Sequence, residues 1–235
     1  PKPTGLGVAT MSGRSGFPIW NHRVDGLRWQ DAMFQAADAI SPSAFYIAGD
    51  VWTRKRKGNW GIGKLFGGFS SASAFVAQLL VKSPTRCFYE IIRADLPCKA
   101  YFDLEAEPGA LTPDQGFQLC CRVIAEWEAH LGRHRPEAIQ NCPKCVRPIV
   151  LDGSRDTAQG WKVSYHLVYP WLVYPSNTTA LKAEASALAE LSCLHYKSLD
   201  GESKRFVDPA VYTRNRQFRL PLCWKLSDST CTPLR

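Results

Sequence analysis

At 235 residues with 45% hydrophobic content, the chain can build one sizeable domain or two small modules, and it is too apolar for a disordered polymer. No apolar run nears the roughly 20 residues that cross a bilayer, and no signal-peptide segment opens it, so a soluble intracellular protein without a membrane partner is expected. A formal net charge of +8 suits a polyanionic partner, and an odd nine cysteines favour reduced thiols over a disulfide framework.

Residues 1–18, rich in Gly, Pro, Ser and Thr, read as a flexible tail, and the absence of an initiator Met before Pro1 fits a fragment or a processed form. Trp29 to Ile40 has helical spacing, with Trp29, Met33 and Ala36 or Ala37 on one side. The run Arg54-Lys55-Arg56-Lys57 follows, flanked by Trp52 and Trp60. It fits either a grip on a nucleic-acid template, with Arg54 and Arg56 on phosphates, or a solvated hairpin loop. Ser70 to Val81 reads as a helix capped by Ser70.

Thr112-Pro113-Asp114-Gln115 combines an N-cap, a first-turn Pro and a capping-box Gln. The helix that it opens carries Phe117, Cys120 or Cys121, Ile124, Trp127 and Leu131 as an apolar stripe and ends near Gly132. Cys142 and Cys145 form a lone pair with no second pair to complete a zinc site. His130 and His134 are the nearest further ligands, but no structural zinc is expected. A further helix is expected over 177–196, striped by Leu181, Ala185, Leu188 and Leu191. Strands are expected over 87–92, 99–105, 148–151, 161–169 and 216–222. Their irregular alternation with helices indicates an α+β fold.

Three polar clusters carry chemistry. In Lys99-Ala100-Tyr101-Phe102-Asp103-Leu104-Glu105, strand alternation sets Asp103 and Glu105 on one face and Phe102 and Leu104 on the other. Two carboxylates that close repel unless a cation lies between them, and Mg²⁺ or Mn²⁺ matches their hard oxygens. An exposed strand face is the alternative for this motif alone. Lys162, Ser164 and His166 likewise share a face, as a triphosphate cradle or a solvent-facing row. A Ser–His nucleophile is disfavoured because such side chains lie roughly 7 Å apart. Asp208, in Phe206-Val207-Asp208, offers a third ligand, and Arg214, Arg216 and Arg219 follow as phosphate donors. Three carboxylates with flanking cations fit two-metal catalysis on a triphosphate.

The stretches 87–105, Lys162-Val163-Ser164-Tyr165-His166, and Phe206-Val207-Asp208 with 211–219 resemble, in order and spacing, three motifs of the PrimPol-type primase-polymerases, members of the archaeo-eukaryotic primase superfamily. The resemblance covers roughly residues 86–225. It implies a two-module catalytic core with mixed or antiparallel sheets flanked by helices, divided as a template-side module, 19–98, and a catalytic module, 99–235. It further implies a monomeric DNA primase-polymerase serving replication and translesion synthesis, placed in nucleus or mitochondrion if eukaryotic. Its partners would be a DNA template-primer and nucleoside triphosphates, and Mg²⁺ or Mn²⁺ its two-metal cofactor.

By resemblance, Asp103, Glu105 and Asp208 are the catalytic metal ligands. Lys162, Ser164, His166, Arg216, Gln217, Arg219 and Lys225 bind the nucleotide. Lys64, before Leu65-Phe66, stands where the family has an Arg near the template base. Gln217 replaces a family Asn. The family's Cys/His-rich zinc module is not found before Arg235, so strand extension is implied more firmly than initiation. Rival readings are a two-metal nuclease on the same carboxylates and a nucleic-acid-binding module without catalysis.

Overall fold

A computed structural model describes residues 19–20, 29–54, 59–94, 96–226 and 233–234. The elements run β1 (Ile19–Trp20), α1 (Trp29–Asp38), β2 (Phe45–Arg54), β3 (Trp60–Phe69), α2 (Ala72–Phe75, continued as a π-turn Val76–Leu80), β4 (Phe88–Ile92) and β5 (Cys98–Glu105). They continue with α3 (Pro113–His134), α4 (Pro136–Asn141), β6 (Ile149–Asp152), β7 (Arg155–Thr157), β8 (Gly160–Lys162), β9 (Ser164–Tyr174), α5 (Ala180–Ala189), β10 (His195–Lys197), β11 (Ser203–Arg205) and β12 (Arg216–Arg219). The class is α+β with antiparallel strand pairing.

The chain forms two compact units, Pro1–Ile91 with Gln217–Pro233 and Ile92–Arg216 with Leu234–Arg235. The break after Ile91 precedes the one expected after residue 98, and the C-terminal segment differs as well. The backbone after Gln217 returns to the first unit, where Leu220 N–H donates to Phe88 O at 3.1 Å and Trp224 N–H donates to Arg86 O at 2.9 Å.

The first unit is a five-stranded sheet in the order β1-β3-β2-β4-β12. Alternation along β2 feeds two cores. Tyr46 and Ala48 pack with Met33, Phe34 and Ala37 of α1, whereas Ile47 joins Phe69, Phe75, Phe88 and Cys223. The Gly-rich segment after residue 59 is strand β3, which the sequence pattern did not mark. Glycine is a poor strand former, yet here it is needed, since a Cβ on Gly63 would fall 2.8 Å from Thr53 Cγ2 across the hairpin. The helix expected from Ser70 starts one residue later, with Ser71 Oγ accepting from Ala74 N–H at 3.1 Å. The Trp29 side chain, Arg56 and the expected tail lie outside the described residues, as does the Arg54 side chain.

The second unit is organised on the three-stranded sheet β5-β9-β6. Phe102 and Tyr169 pack edge-on from one face, and Trp127 of α3 meets Phe102 at 4.8 Å between ring centroids. The capping box forms as expected, with Thr112 and Gln115 bonded reciprocally. The buried stripe of α3 is Gly116, Leu119, Cys120, Val123, Trp127 and Leu131, and Phe117 is exposed. Gly116 decides this rotation, because any Cβ there would meet Val163 Cγ2 at 2.6 Å. The helix also runs past Gly132 to His134. The helix expected over 177–196 is shorter. After α5 the chain turns through Ser192–Leu194 and pairs β10 with β11, so Tyr196 is a strand residue.

Candidate active site

One face of the second unit's sheet is built by register. β5 and β9 pair Asp103 with His166 and Glu105 with Ser164. On the other edge of β5 the bridge Leu104↔Val207 is closed by Glu105 N–H to Phe206 O (3.0 Å) and Asp208 N–H to Asp103 O (2.9 Å). One step along that antiparallel pairing, Asp208 opposes Asp103. Opposed residues hold their Cβ atoms about 4.5–5.5 Å apart on a common face. A row therefore crosses three segments as His166, Asp103 and Asp208, with Glu105 two residues along β5 on the same face.

Side-chain charges in this region answer one another. His166 Nε2 is 3.6 Å from Asp103 Oδ1, and an Arg216 guanidinium nitrogen is 3.9 Å from Asp103 Oδ2. Lys162 Nζ donates to Glu105 Oε2 at 3.1 Å. Asp103, Ser164 and His166 are all buried, an unusual setting for a carboxylate and an imidazole. Lys162 does not extend the same strand as Ser164. It ends β8, which pairs with β7, and the chain breaks step at Val163 before β9 begins. The row expected from one strand is thus delivered by two.

The turn after Asp208 is set by its own carboxylate, whose Oδ1 accepts from Ala210 N–H at 2.8 Å. Asn215 (φ 54) takes the left-handed conformation that Asn tolerates, and the chain turns there into Arg216. Beside the row, Tyr212 O–H donates to Tyr101 O at 2.7 Å, and Tyr101 O–H donates to Val211 O at 3.3 Å. Asn177 Nδ2 donates to Thr213 O at 3.0 Å and to the Tyr101 hydroxyl at 3.2 Å. The sequence pattern gave these three no role beyond core or helix, because the bonds link positions far apart in the chain.

Glu107 continues the acidic alternation but is engaged elsewhere. It accepts from Leu199 N–H at 2.7 Å and from Lys204 Nζ at 3.0 Å, and these bonds, the backbone one foremost, hold its carboxyl below the ordinary range.

Other expected contacts belong to the first unit. Lys64 Nζ is 2.5 Å from Asp50 Oδ1 and 3.7 Å from the Tyr89 ring centroid. Asp50 Oδ2 also accepts from Tyr89 O–H at 2.8 Å and from Leu226 N–H at 3.2 Å. Burial, with Asp50 second, pushes the Tyr89 phenol upward. Gln217 is half-buried, Arg219 buried and Lys225 exposed.

Asp103, Glu105 and Asp208 are an all-oxygen donor set of the kind that Mg²⁺ and Mn²⁺ take, and the backbone register aligns them on one face. In that chemical sense they fit a divalent cation. With the side chains in their present ion pairs, no group of three His, Cys, Asp or Glu among the described residues is gathered closely enough to hold an ion. Cys145 Sγ instead donates to Ala138 O at 3.6 Å, and His130 lies 3.2 Å from Glu184 Oε2. No helix among the described residues is long and apolar enough to cross a membrane.

No protein-family model matches the chain, and no curated protein matches its sequence.

Proposed function

We propose that this chain is a template-dependent nucleotidyltransferase of the primase-polymerase kind, extending a DNA primer with nucleoside triphosphates. The observation that carries the reading is the cross-sheet row of His166, Asp103 and Asp208, with Glu105 and Lys162 beside it. A nucleic-acid-binding module has no need for a carboxylate row with one member, Asp103, buried against an imidazole, and a nuclease has no triphosphate for the cations to hold.

The reaction is attack of the primer 3′-hydroxyl oxygen on the α-phosphorus of the incoming nucleotide. A P–O bond forms, the α–β bridging bond breaks, the hydroxyl proton goes to solvent, and pyrophosphate leaves. Asp103, Glu105 and Asp208 would hold Mg²⁺ or Mn²⁺, which when bound acidify the attacking hydroxyl and neutralise charge on the leaving group. Lys162 and Arg216, now on Glu105 and Asp103, are cations within reach of these acids. They turn to triphosphate oxygens, the guanidinium binding as a planar fork. His166, buried beside Asp103, donates to a phosphate oxygen and keeps the carboxylate oriented. Ser164 adds a hydroxyl donor in the Glu105 row. Gln217, Arg219 and Lys225 enter this reading as further nucleotide contacts, and Lys64, Arg54 and Arg56 as template contacts, on the strength of their motif positions.

Incubation with a labelled primer on a template, all four triphosphates and either Mg²⁺ or Mn²⁺ tests the proposal. Elongation that disappears in Asp103→Asn is expected. Shortening of the labelled strand without elongation would establish the nuclease instead.

A further inference from the structure

The β2–β3 hairpin presents two large aromatic side chains to water, Trp52 at 47% and Trp60 at 69% exposure. Its register pairs Trp52 with Ile62 and Arg54 with Trp60, so both tryptophans project from one face as diagonal neighbours. Diagonal cross-strand neighbours stand about 7–8 Å apart, their Cβ atoms somewhat closer. Nucleic-acid bases stack at about 3.4 Å, so one base between two rings needs about 7 Å, which this diagonal supplies. The opposite face of the same stretch carries Thr53, Gly61 and Gly63. The aromatic surface is therefore confined to one side.

Charge identifies the occupant. Arg54 holds the register position beside Trp60, and it begins the sequence run Arg54-Lys55-Arg56-Lys57 in a chain of net charge +8. A stacking surface whose adjoining sequence is rich in cations matches a strand that alternates bases with phosphates. Duplex DNA keeps its base faces covered, so the matching ligand is single-stranded.

We propose that Trp52 and Trp60 form a clamp that stacks one unpaired base of a single-stranded nucleic acid. The nucleotidyltransferase reading identifies that strand as the template, but the clamp itself requires no chemistry.

The test is anisotropy of a labelled oligothymidylate titrated with the full chain. Trp52→Ala and Trp60→Ala should each weaken binding about 5- to 100-fold, the range of one lost stacking contact. Trp→Phe at the same positions should recover most of the loss, and duplex binding should not change in any variant. The readout is binding without metal or triphosphate, so failure of the polymerase reading leaves this result standing. Unchanged oligonucleotide affinity in both Ala variants would overturn the clamp. So would a parent chain that binds anionic lipid vesicles through these tryptophans and not the oligonucleotide.

Discussion

Asp103 stands directly across the sheet from His166, with 3.6 Å between its Oδ1 and the imidazole Nε2, and both residues keep less than a tenth of their surface. A carboxylate this buried is costly unless paired, and Arg216 supplies a counter-charge at 3.9 Å. The row is thus a held charge rather than an exposed strand face.

Asp103→Asn keeps the shape of that side chain and removes its charge. Strand extension should fall on the order of 100-fold or more, the size seen when one preorganised electrostatic group is lost. Far-UV circular dichroism should be unchanged, separating a chemical defect from a folding one.

Lys162→Ala removes the partner of Glu105. The pair is partly open to solvent, so the cost in stability should stay below ~1 kcal/mol by denaturant titration. Kinetically, KM for the nucleoside triphosphate should rise more than kcat falls, because the ammonium is assigned to phosphate binding.

Thr112→Ala deletes the side-chain half of the α3 capping box. A loss of ~1 kcal/mol is expected in urea unfolding, with extension activity retained.

Thiol accessibility gives a check that needs no activity. Burial pushes Cys120 up to about 12 and Cys223 up to about 11, so at neutral pH both remain protonated and shielded. Native alkylation followed by mass spectrometry should label the exposed Cys121 and Cys193 first and spare Cys120, Cys223 and Cys87.

His130 supplies a pH signature. Burial holds its imidazole below the ordinary range, despite Glu184 at 3.2 Å, while His134 and Arg133 add to the depression. The unfolded chain takes up this proton near pH 6.5 and the folded chain only at lower pH. The unfolded state therefore binds more protons as pH falls through that window, so stability is present above it and lost below it. The denaturant midpoint should drop between about pH 7.5 and about pH 5.5, and less so in His130→Gln.

Local rules made much of this protein readable from its residues. Period-two alternation placed Asp103 with Glu105 and Ser164 with His166, and the capping box located the start of α3. These features depend on neighbours within a few positions. The strand β3 escaped because its glycines argue against a strand unless the facing Thr53 is known. The expected stripe of α3 put Phe117 inward, and only the approach of Val163 to Gly116 settled that Phe117 is exposed and Val123 buried.

The residues alone therefore determined which side chains share a strand face, Asp103 with Glu105 and Ser164 with His166. Only the tertiary structure decided that Asp208 lies opposite Asp103, that Arg216 reaches the same carboxylate, and that Lys64 rests on Asp50. The reason is that alternation is a property of one strand, whereas register between strands is set by long-range hydrogen bonds and packing that no single segment encodes.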